Sequence, residues 1–93
     1  MADFLMIPNS FIDLMIGTKN LGPNQRKVLM TVAMLMYPED REKLTIPTVQ
    51  AIASRSTLPE QVVAEACIRL SKRGIMREYE GAYFPNLSAP QHK

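Results

Sequence analysis

Tryptophan is absent from this chain, cysteine and histidine occur once each, and aromatic residues are only 6% of the total. A lone Cys67 forbids an intrachain disulfide and excludes zinc sites built from several thiolates. With His92 as the only imidazole, placed in the C-terminal tail, a Ser-His-Asp or Cys-His arrangement has no base in the body of the protein. A phosphate loop is lacking too. Gly17 to Gly22, GTKNLG, supplies two glycines, but Pro23-Asn24 follows where lysine and a hydroxyl residue are required. The acids of Glu39-Asp40-Arg41-Glu42 read as a solvated turn. The inventory therefore predicts no enzyme, no cofactor and no metal. Long apolar runs are missing as well. The longest, Val28 to Tyr37, is broken by Thr31 and is half the ~20 residues that span a bilayer. The start shows no basic region followed by a small-residue cleavage site, which predicts no secretory leader. These absences predict a soluble, cytoplasmic protein with no membrane partner.

What is present is ordinary globular usage, 46% hydrophobic and 22% charged, in 93 residues. That length suits one domain, expected over residues 1–85 with an apolar extension over 1–16 and a flexible tail over 86–93. The net charge of +2 is unevenly spread. Residues 1–16 carry Asp3 and Asp13 and no base, whereas residues 17–37 carry Lys19, Arg26 and Lys27 and no acid. Binding to nucleic acid through bulk charge alone would need a far more basic chain. Any such contact must come from a local patch.

Along the chain, Phe4 to Ile7 reads as extended and is stopped by Pro8. Ser10 is placed to cap a short helix through Ile16, with Gly17 as its stop. Pro23 suits the first position of a helix over 23–37 that must end before Pro38. Val28, Leu29, Val32, Leu35 and Met36 follow core spacing, and Met30, Ala33, Met34 and Tyr37 make the other side apolar too. The first helix packs there, or a second copy does through the N-terminal segment and helix 23–37, or both together. Leu44 to Ile46 reads as a short strand, followed by a helix over 47–54. Thr57-x-x-Glu60 has capping-box spacing, and Pro59 stands near the start of a helix over 59–73. Its inward stripe is Val63, Ala66, Cys67 and Leu70, and Gly74 stops it. Residues 75–79 and 82–84 around Glu80-Gly81 predict a β-hairpin.

The spacing of Ile52, Ala53, Leu58, Val63, Ala66, Leu70, Gly74 and Ile75 resembles that of winged helix-turn-helix DNA-binding domains. The expected fold is therefore mostly α with a small β-hairpin, a winged helix-turn-helix with an extra apolar N-terminal segment. Ile7-Pro8-Asn9, Leu21 to Leu29 and Leu44 to Ile46 extend the likeness. Together they are similar to the N-terminal origin-binding domain of phage replication initiators of the O-protein type. That family carries a further region that recruits the helicase-loading machinery, for which 93 residues leave no room. The resemblance implies a double-stranded DNA-binding protein from a phage or mobile element, acting in replication initiation or transcriptional regulation.

If Val63, Ala66, Cys67 and Leu70 face inward, the helix over 59–73 offers Gln61, Val62 and Glu65 for base readout: Gln61 to adenine, Val62 to a thymine methyl, Glu65 to cytosine. Lys19, Arg26, Lys27, Arg55, Arg69, Lys72 and Arg73 are the phosphate candidates, with Arg77, Tyr79 and Tyr83 on the wing. The sequence departs from the family pattern in two places. Glu78 and Glu80 make the wing tip acidic, and Thr57 stands in the turn where glycine is common. These departures keep a second reading open, a winged-helix protein-interaction module that binds a host or replication protein through the acidic wing, Glu78 and Glu80 around Tyr79, with Tyr83 nearby.

Overall fold

The computed structural model describes residues 8–87, so the extended run expected at 4–7 and the tail from Ser88 onward lie outside the described residues. The described chain forms four helices, α1 (Asn9–Gly17), α2 (Pro23–Met36), α3 (Val49–Ser56) and α4 (Glu60–Lys72), then an antiparallel hairpin, β1 (Met76–Tyr79) and β2 (Ala82–Pro85). The fold is mostly helical with a small β-hairpin, and none of these helices is long and apolar enough to cross a membrane.

Helix α2 is the axis of the core, in contact with α1, α3, α4 and β2. Gly22 precedes it in extended backbone and Pro23 takes the first turn, where its missing N–H costs nothing. Val28, Leu29, Val32, Ala33 and Leu35 are buried. Thr31 is buried beside them because its hydroxyl donates to the Lys27 carbonyl at 2.7 Å, satisfying itself within the helix. The expectation of two apolar sides is met in part. Helix α1 covers α2 through Phe11 and Leu14, and the Phe11 ring meets Tyr37 edge-on at 6.0 Å. Met30 and Met34 nevertheless stay exposed on α2, as do Ile12 and Ile16 on α1.

The helix ends differ from the expected ones for identifiable reasons. Pro8, not Ser10, precedes α1, and its carbonyl accepts from the Phe11 and Ile12 N–H groups. Gly17 remains helical, and the stop is made by Thr18, whose N–H and hydroxyl both donate to the Leu14 carbonyl. Helix α3 starts at Val49, after Pro47, because the Thr48 hydroxyl accepts the Ala51 N–H at 3.1 Å. It runs on to Ser56 and closes at Thr57, which takes the left-handed region at φ 64°. Thr57 therefore cannot also cap α4, and the expected capping box is not formed. Pro59 precedes α4 instead, and its carbonyl accepts from Val63 N–H.

Leu44 to Ile46 is not a strand. Thr45 N–H is taken by the Leu35 carbonyl at 2.9 Å, and Pro47 has no N–H to give a ladder. Leu44 and Ile46 are left exposed. Pairing with the hairpin shrinks to one bridge, Thr48 to Ala82, reinforced by Tyr83 N–H to the Pro47 carbonyl at 3.0 Å.

Helix α4 buries the expected stripe of Val63, Ala66, Cys67 and Leu70. Gly74, at φ 78°, then makes a Schellman stop: its N–H reaches the Ser71 carbonyl and Ile75 N–H reaches the Leu70 carbonyl. In the hairpin, Glu80 at φ 50° and Gly81 at φ 86° are both left-handed, the signature of a type I′ two-residue turn. The chain does not loosen at residue 86. Asn86 N–H donates to the Ile75 carbonyl at 2.8 Å, and Leu87 packs against the core.

Candidate nucleic-acid interface

Thirteen residues at ~1.5 Å per residue make α4 a rod of roughly 20 Å, buried along one side and open along the other. Gln61, Glu65 and Lys72 are exposed on the open side as expected. Ile68 joins them at 47% exposure and was not among the expected contacts. Its signal was available in the sequence. Ile68 lies seven residues after Gln61 and four before Lys72, on the stripe opposite Val63 and Leu70. Val62 is half-buried and turns aside toward the start of α2.

There, Val62, Glu65, Ala66 and Arg69 face Gly22 to Gln25 across an open hollow of about 260 Å³. The first turn of α2 has neither a side-chain cap nor an acidic residue. Arg69 thus stands beside a helix start of positive polarity, and the Glu65 carboxylate shares the hollow with it.

The seven expected phosphate contacts do not form one patch. Lys19, Arg69, Lys72 and Arg73 gather where the C-terminal end of α4 meets the α1–α2 loop. Arg26 and Lys27 are exposed on the first two turns of α2. Arg55 lies elsewhere, with its guanidinium 3.7 Å from the Met34 sulfur in a hollow shared with Glu39, Asp40 and Lys43. Met34 is eleven residues along α2 from Pro23, ~16 Å by helix rise, so Arg55 and Arg69 serve different ends of the domain. Arg73 is already engaged. Its guanidinium donates to the carbonyls of Lys19 at 2.6 Å and Asn20 at 3.2 Å, and to Gln25 Oε1 at 3.4 Å.

The three residues expected on a wing divide between the two faces of the hairpin. The register sets Arg77 against Phe84 and Tyr79 against Ala82, placing Arg77, Tyr79 and Phe84 on the outer face. Tyr83 pairs with Glu78 on the opposite face, packs against the core, and is half-buried. Burial raises its phenol above the ordinary value, with Cys67 and Glu78 adding to the effect. Glu78 is occupied too, since its carboxylate accepts the Gly81 N–H at 2.9 Å and closes the turn. Tyr79, 65% exposed, is the side chain the hairpin offers outward. Cys67 lies inside, fully buried, its thiol pushed up to about 12 by desolvation. Among the described residues no group of acids, cysteines or histidines could hold a metal ion. In comparisons with protein-family models, with curated proteins and with solved structures, the chain matches none.

Proposed function

We propose that this chain is a winged helix-turn-helix domain that binds double-stranded DNA, with α4 laid in the major groove, in replication initiation or transcriptional regulation. The observation that carries the reading is the open face of α4, backed by α3 and followed directly by a hairpin. A major groove ~12 Å wide admits one helix, and the residues on that face are of readable kinds. Gln61 reads adenine, Glu65 accepts from cytosine, and Ile68 replaces Val62 as the side chain that meets a thymine methyl. Arg69, Lys72 and Lys19 flank the base-reading positions and take phosphates, with Arg26 and Lys27 at the next turns along the duplex.

Selection from a random pool of duplexes at moderate salt tests this. The expected result is a defined motif, bound with about five phosphate contacts and a salt slope of about −4.5. Gln61→Ala then costs about 1–3 kcal/mol on the best site and relaxes one base position. An empty selection overturns the reading. In that event the exposed Tyr79, beside Arg77 and Phe84 on the outer face of the hairpin, supports docking to a protein. Tyr79→Ala would then abolish retention of that protein by the immobilised chain.

A further inference from the structure

We propose that Arg73 is a positioning residue that acts through Lys19. On this assignment, which rests on the DNA-binding reading, Arg73 does not touch DNA itself but fixes the loop that presents the Lys19 ammonium to a phosphate. Three of its contacts go to the α1–α2 loop and the first turn of α2, across 48 to 54 residues of sequence. The shortest, to the Lys19 carbonyl at 2.6 Å, holds the backbone of the very residue whose side chain is free to reach outward. The next residue, Asn20, sits in the left-handed region at φ 62°, so the loop turns at the point where Arg73 grips it.

A guanidinium is a rigid planar fork, and one that spans two carbonyls and an amide oxygen has its geometry committed. An ammonium in its place keeps the charge, and keeps the favourable position at the C-terminal end of α4, but cannot bridge the same acceptors. Release of the loop would let Lys19 range over many positions, and its phosphate contact would weaken through lost preorganisation.

The test is a mutant cycle on the full chain with a mixed-sequence duplex, using Lys19→Gln, Arg73→Gln, Arg73→Lys and the double variant Lys19→Gln/Arg73→Gln. Each single variant is expected to weaken binding several-fold and to flatten the salt slope by about 0.9, the share of one phosphate. Arg73→Lys should fall with Arg73→Gln despite its retained charge, and the double variant should be no weaker than Arg73→Gln alone. In the free protein, the Gln25 side-chain amide resonances should shift in both Arg73 variants and stay in place in Lys19→Gln. Wild-type affinity in Arg73→Lys, or additive losses in the double variant, would show that Arg73 contacts phosphate directly and overturn the assignment. Failure of the unaltered chain to bind any duplex overturns the DNA reading, and this assignment falls with it.

Discussion

Cys67 shows how a single side chain reports on the packing of α4. Its stripe position alone placed it inside, because Val63, Ala66 and Leu70 recur at helical spacing around it. Burial favours the neutral thiol and raises its ionisation to about 12, against ~8.5 for an unfolded cysteine. The sign follows: the folded state keeps a proton that the unfolded state releases. Stability from this group is complete below pH ~8.5 and is lost as pH rises toward about 12. Denaturant midpoints should therefore fall more steeply across that range in the unaltered protein than in Cys67→Ala. A thiol reagent should modify Cys67 slowly in native buffer and rapidly in denaturant, and equal rates would mean the residue is accessible. Arg73 was less legible than Cys67. It reads as one more cation near a helix end, and its acceptors lie about fifty residues upstream, where no local pattern points to them.

Between α3 and α4 two motifs compete for one residue. Thr57 has the right spacing to Glu60 for a cap, yet it also follows the last turn of α3, and closing α3 wins. The outcome is a β-branched residue at φ 64°, a conformation that costs an L-residue about 1–2 kcal/mol. Thr57→Gly removes that cost, gives back some chain entropy in the unfolded state, and is expected to raise stability by about 1 kcal/mol. A raised denaturant midpoint with unchanged slope checks it, and a lowered midpoint would show that the Thr57 hydroxyl on the Ser56 carbonyl matters more than the strain. The hairpin was easier to foresee, since the glycine-bearing pair Glu80-Gly81 stands between two short runs that carry Ile75, Tyr79, Tyr83 and Phe84. Leu44 to Ile46 misled for the opposite reason. Its residue types suit a strand, but whether a strand forms depends on where Thr45 N–H goes, and that is fixed by the end of α2.

At the scale of the whole molecule, the order of helices and hairpin was legible because each boundary carries a proline, a glycine or a hydroxyl residue. What covers the outer surfaces was not. Helices α1 and α2 each leave an apolar pair four residues apart in the open, Ile12 with Ile16 and Met30 with Met34. We propose that a second copy covers part of this surface, since Met-rich faces adapt readily to a partner and paired half-sites suit a two-fold reader of DNA. Sedimentation should show reversible dimers at high protein concentration, weakened by Met30→Glu. A monomer at every concentration would assign these side chains to ordinary surface.

The hairpin is held to the helices beside its turn as well as at its root. Thr48 and Pro47 hold Ala82 and Tyr83, the first residues of β2 after the turn. The bond from Asn86 N–H to the Ile75 carbonyl continues the strand pairing at the root. Glu80 and Gly81 alone lie beyond the anchored pair of Tyr79 and Ala82. Such an arrangement is a clamp beside the turn, with two residues of free length beyond it. Tyr79 lies directly across from Ala82, so one cross-strand pair and one bridge separate it from Thr48, the residue whose hydroxyl starts α3. Whatever engages Tyr79 is therefore coupled to the first turn of α3, and α3 in turn packs against α4.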